Sequence, residues 1–325
     1  MNYLSPMLLC DFYKISHREM YPEGTELVYS TWTARSSRMT DVNETVVFGL
    51  QYVIKDKLIS LFNNLFFSQS KEKVINDYKK VITACLGVAD PATQHIEDLH
   101  DLGYLPILIC AIPEGSVVPI RVPLFTIQNT NPKFFWVTNF LESLISTELW
   151  QASTSATISL QYRKLLSYYA KMTIGATEFV PYQGHDFSMR GMSSLSSCIS
   201  SGMGHLVNFC GTDSIPAVQA IEHFYHGDME NNLIGCSIPA TEHSVQCAYA
   251  DDLQYLTDMI TRVHPTGMVS IVCDGYDFWK FLTEILPQLK DVIMNREGKV
   301  VIRPDSGDPV NIVCGDCNAQ KESPE

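Results

Sequence analysis

The stretch Lys299-Val300-Val301-Ile302-Arg303-Pro304-Asp305-Ser306-Gly307-Asp308-Pro309 decides the fold class of this chain of 325 residues. Val-Val-Ile is too short for a helix and ends in breakers, so it reads as a fully buried strand. Its C-terminal end then offers a guanidinium, a carboxylate, a hydroxyl and exposed backbone amides. A guanidinium matches phosphate geometry bidentately, and a carboxylate beside it can accept from a sugar diol. That inventory suits a phosphorylated ribose. Taken alone, the same residues make a solvated loop with a surface ion pair just as well.

Four earlier segments share this form, an apolar run that stops at polar residues and leads into a helix-like region. They are Thr177-Glu178-Phe179-Val180 before His185-Asp186-Phe187, Leu206-Val207-Asn208-Phe209 before Gly211-Thr212-Asp213, Leu233 to Ile238 before Glu242-His243, and Val269 to Cys273 before Asp274. Phe187 to Asp213 is 26 positions, and the next intervals, to His243, Asp274 and Asp305, are 30, 31 and 31. A strand with its crossover helix takes about 30 residues, so the beat predicts consecutive parallel strands. In a β/α barrel the C-terminal strand ends carry the chemistry, and these polar residues would converge on one mouth.

Composition bounds the function classes. Hydrophobic residues make up 46% and charged ones 18%, an ordinary globular balance. A net charge of −13 argues against a nucleic-acid or anionic-membrane surface, but leaves room for a local arginine cluster that binds a phosphorylated small molecule. The first ten residues lack a basic segment and a cleavage site, and the longest apolar run, Tyr104 to Pro113, is too short to span a bilayer. Ten cysteines are scattered, mostly inside apolar runs, which fits free thiols in a reduced, cytoplasmic protein.

Ahead of the beat, residues 9–22 read as a short helix closed by Pro22, with Tyr13, Lys14, His17 and Arg18 crowded together. Glu26 to Thr33 alternates as a strand, and Arg35 and Arg38 follow in a Ser-rich loop. Phe48 to Phe67 and Lys71 to Leu86 are amphipathic helices, and Leu105 to Gln128 is strand-rich. Phe134 to Trp150 and Thr157 to Tyr169 read as two packing helices that join an N-terminal α+β domain, residues 1–174, to a barrel domain, residues 175–325. Beyond that boundary, Arg190 to His205, Ile215 to His226, His243 to Val263 and Gly275 to Asn295 read as further helices.

The strand-end residues in order are His185-Asp186-Phe187-Ser188-Met189-Arg190-Gly191, Asn208-Phe209-Cys210-Gly211-Thr212-Asp213, Ser237-Ile238-Pro239-Ala240-Thr241-Glu242-His243-Ser244, Cys273-Asp274-Gly275-Tyr276-Asp277 and Ile302-Arg303-Pro304-Asp305-Ser306-Gly307. With Asp11-Phe12-Tyr13-Lys14, Phe48-Gly49-Leu50-Gln51-Tyr52, Pro113-Glu114-Gly115 and Leu124-Phe125-Thr126, this set resembles the nicotinamide phosphoribosyltransferase family of NAD salvage. The resemblance runs in order through nearly the whole chain. It implies an α/β fold, an N-terminal α+β domain followed by a type II phosphoribosyltransferase β/α barrel.

The resemblance also implies roles. Phe187 and Tyr13 match the aromatic pair that sandwiches a pyridine ring, Tyr13 coming from the second subunit of a homodimer. Asp213 matches the carboxylate that accepts from the amide N–H. Arg190 and Arg303 match residues near the amide oxygen and the phosphate. Arg35 is carried as a further substrate-binding residue, and Ser237 and Ser270 as lining. Asp305 and Asp274 match ribose-side acceptors, and His243 matches a histidine phosphorylated by ATP, with Glu242 or Asp274 available to orient it. The implied reaction joins nicotinamide and phosphoribosyl pyrophosphate into nicotinamide mononucleotide and pyrophosphate, with Mg²⁺ on the diphosphate and ATP as co-substrate.

The family pattern continues beyond RPDSG with a Gly-rich phosphate-binding turn, whereas this sequence ends at Glu325. The expectation is a barrel left incomplete, C-terminally truncated relative to its kin. Phe12 stands where a small residue is usual, and Ser188-Met189 replaces a Gly-Tyr type pair. Cys314 and Cys317 have zinc-like spacing but supply only two ligands, and no metal site is assigned. Three other readings remain at this point: a nicotinate phosphoribosyltransferase, a truncated non-catalytic nucleotide-binding paralogue, and a metal-dependent hydrolase using His185, Asp186 and His243.

Overall fold

A computed structural model describes residues 4–315; Cys317, half of the zinc-like pair, lies outside them. The chain forms two compact units, Met1–Cys236 and Ser237–Glu325. The expected boundary at 174/175 falls inside the first unit.

In the first unit, strands β1 (Tyr29–Thr33), β3 (Ile107–Ala111) and β5 (Pro123–Asn129) make an antiparallel sheet in the order β1-β5-β3. Strands β2 (Glu44–Val46) and β4 (Val117–Pro119) pair separately. The Lys71–Leu86 helix shows how the sequence dictates its own ends. Ser70 caps it by accepting from the Lys73 amide, Gly87 closes it at φ 68°, and Val74, Tyr78 and Ile82 recur on its buried face. These side chains join one apolar core with Phe62, Phe66, Ile96 and Leu124.

The two packing helices expected from Phe134 to Trp150 and from Thr157 to Tyr169 are one helix, Glu142–Thr173. Residues 151–156, Gln-Ala-Ser-Thr-Ser-Ala, contain no Gly or Pro to stop it. Polarity there marks packing, not a break. Ala152, Ser153 and Ala156 are buried, and Ser155 Oγ donates to the Ser201 carbonyl of the Leu195–Leu206 helix at 2.7 Å.

The rest of this unit carries two short parallel strands, β6 (His185–Asp186) and β7 (Gly211–Thr212), with Cys236 bridging to Gly211. The first two barrel-type strands were expected earlier and longer. Residues 177–180 instead lead into a tight turn, Val180–Tyr182, and 206 ends a helix. At 233–238 only Cys236 forms a bridge. In the first two, the apolar run leads up to the strand, and pairing begins at His185 and at Gly211.

In the second unit, β8 (Val269–Val272) and β9 (Val300–Arg303) run parallel, and Ala240 bridges to Ser270 on the other edge of β8. Strand β8 is wholly buried, whereas Val301 of β9 is 38% exposed, so β9 is less buried than its apolar run suggested. Its pairing is with β8 on one edge, among the described residues. The helix expected over 243–263 breaks into His243–Gln246, Asp252–Asp258 and Met259–Val263, restarted by Asp251 capping the Gln254 amide. The second core gathers Tyr255, Leu256, Ile260, Ile271 and Phe281.

Candidate active site

Both units place polar residues at the C-terminal ends of parallel strands, where a β/α architecture puts its ligands. In the first unit, β6 ends at Asp186 and β7 at Thr212, so Phe187 and Asp213 begin neighbouring turns. His185 Nε2 lies 2.8 Å from Asp213 Oδ1. The Phe187 ring, half exposed, lies 4.5 Å from the His185 ring at 32°. Gly211 makes room for this imidazole: a Cβ there would meet His185 Nδ1 and the Gly184 carbonyl, each at 2.8 Å. Arg190 sits in the tight turn Met189–Gly191 that follows.

Behind these residues lies Asp186, 8% exposed. Its Oδ1 accepts from the Ser188 amide at 2.8 Å and its Oδ2 from Ser214 Oγ at 2.8 Å. Burial works against its charge, but the Ser188 and Ser214 donors outweigh it and hold the carboxyl below its ordinary pKa. Burial lowers the pKa of His205, whose ring stacks on Phe209 and whose Nε2 lies 3.0 Å from the Gly211 carbonyl.

In the second unit, Asp274 follows β8, with its side chain 4% exposed. Its Oδ1 lies 3.0 Å from His243 Nε2, while its Oδ2 accepts from the Asp305 amide at 2.9 Å and from Ser306 Oγ at 2.5 Å. Burial opposes the charge, and the Ser306, His243 and Asp305 donors overcome it, so this carboxyl also sits below its ordinary pKa. His243 Nδ1 lies 4.0 Å from Asp305 Oδ2. Asp274 is therefore the residue that meets the imidazole ring; the Glu242 carboxylate receives the Ser244 hydroxyl.

Thr241 ties the three strand ends together. Its Oγ1 accepts from Tyr255 Oη at 2.6 Å and from the Val272 amide at 2.9 Å, and its carbonyl accepts from Arg303 Nη2 at 2.7 Å. Burial pushes the Tyr255 phenol up to about 12. Ser270 is buried in β8, where its amide donates to the Pro239 carbonyl at 2.8 Å, and Ser237 is exposed.

The remaining predicted residues lie in the N-terminal layer of the first unit. Tyr13 precedes the Lys14–Met20 helix and is 59% exposed. Arg35 lines an open groove of about 710 Å³ with Trp32, Phe125 and Glu142. The structure thus groups His185, Phe187 and Asp213 in one unit, and His243, Asp274, Asp305 and Arg303 in the other. Asp186 accepts from Ser188 and Ser214 in the interior, and among the described residues no cluster of three or more His, Cys, Asp or Glu side chains is placed to hold a metal ion. Sequence reasoning gave Asp186 only a metal-ligand role and Thr241 none, and so missed both as buried organisers. The spacing Asp186-x-Ser188, an Asx-turn signature, was the available signal for the first.

Two family models match the chain: the nicotinamide phosphoribosyltransferase N-terminal domain over residues 5–109, and the nicotinate phosphoribosyltransferase family over residues 182–321. A nicotinamide phosphoribosyltransferase of Acinetobacter baylyi is 46% identical over 99% of this chain and 66% of its own length. One from Mycoplasma pneumoniae is 34% identical over 96% of this chain and 69% of its own. The crystal structure of human nicotinic acid phosphoribosyltransferase superposes with a TM-score of 0.55 at 16% identity, covering 94% of this chain and 63% of that one; it shows the shared fold. The chain spans about two thirds of the length of the curated relatives it matches. On the identity that runs through both units, the chain belongs to the nicotinamide phosphoribosyltransferase family.

Proposed function

We propose that the chain is a pentosyltransferase of NAD salvage that converts nicotinamide and phosphoribosyl pyrophosphate to nicotinamide mononucleotide and pyrophosphate. The observation that carries this reading is that the half-exposed Phe187 ring and the Asp213 carboxylate both flank His185 at neighbouring strand ends. An aromatic face suits stacking on a flat, electron-poor ring. A carboxylate accepts from an amide N–H and repels a second carboxylate, so the pair favours nicotinamide over nicotinate. Arg190, on the turn after Phe187, suits the amide oxygen or a phosphate.

The second cluster suits the phosphorylated sugar. Arg303 and Asp305 offer a phosphate partner and a diol acceptor, with Ser237 and Ser270 as lining hydroxyls. The pyridine nitrogen attacks ribose C1 as pyrophosphate leaves, and the protein contributes position and electrostatics. Mg²⁺ would arrive on the diphosphate, since it keeps waters and binds through substrate phosphates. With Nε2–H donated to Asp274, the His243 Nδ1 lone pair is the phosphoryl acceptor for ATP as co-substrate. Tyr13, with its ring exposed, suits a shared site in a homodimer, and Arg35 extends the substrate-binding set in the same layer. A cytoplasmic location fits the free thiols of the described cysteines.

The test is formation of nicotinamide mononucleotide from nicotinamide, phosphoribosyl pyrophosphate, Mg²⁺ and ATP by the purified chain. The wild type should make product, and His243→Ala should lose the stimulation by ATP, a drop of about tenfold or more in kcat/KM. A folded chain that makes no product, or that prefers nicotinate, overturns the reading.

A further inference from the structure

We infer that Asp186 is a positioning residue for pyridine recognition, its buried carboxylate locking the Phe187 turn to the Asp213 turn. The inference rests on the nicotinamide reading above. Asp186 reaches both turns at once. Through Oδ1 it accepts the Ser188 amide two residues ahead, an Asx-turn whose tip is Phe187. Through Oδ2 it accepts Ser214 Oγ, the hydroxyl of the residue directly after Asp213. Its backbone carbonyl accepts the Asp213 amide at 2.9 Å.

Ser214 shows what this arrangement displaces. It is the residue that opens the Ile215–Tyr225 helix, and a serine there ordinarily turns its hydroxyl onto the first helical amides. Here it makes no such capping bond and donates to Asp186 instead. Ser214 is fully buried, so its bond to Asp186 is shielded from competing water. Through Ser214 the carboxylate is held at the start of that helix, where the backbone dipole favours negative charge.

The Leu195–Leu206 helix packs closely beside the carboxylate. A Cβ on its Gly202 would lie 2.5 Å from Ala217 Cβ and in ordinary contact, 3.4 Å, with Asp186 Oδ2. A short strand pair, two residues on each side, cannot by itself fix the separation of an aromatic ring and a carboxylate. The buried Asp186 side chain supplies the missing constraint. It does so without facing the ligand.

Amide hydrogen exchange and steady-state kinetics test this on Asp186→Ala, Asp186→Asn and Ser214→Ala in the whole chain. Exchange should quicken together in both turns, 187–190 and 212–214, in Asp186→Ala and Ser214→Ala, while β1, β3 and β5 keep wild-type protection. Asp186→Asn, which keeps one acceptor for the Ser188 amide, should show a smaller change. In kinetics the KM for nicotinamide should rise about tenfold in Asp186→Ala, with the KM for phosphoribosyl pyrophosphate within about twofold of wild type. Turns that exchange as in wild type, or that respond separately, overturn the inference. So do two KM values that rise together with a lowered Tm, the mark of a residue that only stabilises. A wild-type chain without product defeats the activity reading on that result alone, and the exchange arm still decides whether Asp186 couples the turns.

Discussion

Asp274 concentrates three contacts in one side chain. It meets the His243 ring, receives the Asp305 amide and the Ser306 hydroxyl, and sits almost out of water. Its folded pKa lies below the ordinary 3.8, so ionised Asp274 stabilises the fold above that value. As pH falls below 3.8 the unfolded chain takes up the proton first, and the contribution fades as pH passes through the folded pKa. Asp274→Asn should therefore lower Tm most near neutrality, with the gap to wild type narrowing below about pH 4. Melting curves between pH 7 and 3 decide this; a gap that stays constant means the carboxylate charge contributes nothing to stability. The sequence put Asp274 at a strand end, but its neighbours in the chain could not say whether it or Glu242 would take the histidine.

The Glu142–Thr173 and Leu195–Leu206 helices pack closely. Gly204 faces Ala152 and Ala156 so tightly that a Cβ would stand 2.5 Å from the Ala152 carbonyl oxygen and 2.9 Å from the Ala156 amide nitrogen. Both obstacles are backbone, which cannot rotate away as a side chain can. Gly204→Val should cost about 3 kcal/mol or more, seen as a lowered urea midpoint, because overpacked cores shift backbone. A midpoint within error of the wild type would mean that the helices can separate freely. Capped helices such as Lys71–Leu86 were legible to the residue, since Ser70 and Gly87 act within one turn. The single long helix was not, because its polar middle reads as a linker until a partner helix buries it.

Two apolar cores organise the molecule, one within each compact unit. Phe281, fully buried, is among the largest side chains of the second core. Phe281→Ala should destabilise that unit by about 3–5 kcal/mol. Hydrogen exchange would then rise in β8 and β9 while β1, β3 and β5 stay protected. Equal loss of protection in both units would show that they unfold as one. The chain's linear order carried the succession of strand ends, the beat of about 30 residues between them and the family. These depend on residues a few positions apart, or on motifs that keep their order. Tertiary structure alone decided where the short strands begin, that His185 meets Asp213 and His243 meets Asp274, and that Asp186 and Thr241 bind the strand ends from behind. Those pairs lie 28 and 31 positions apart in the chain. Parallel pairing brings them together, and no local propensity encodes which side chain will face which across neighbouring strands.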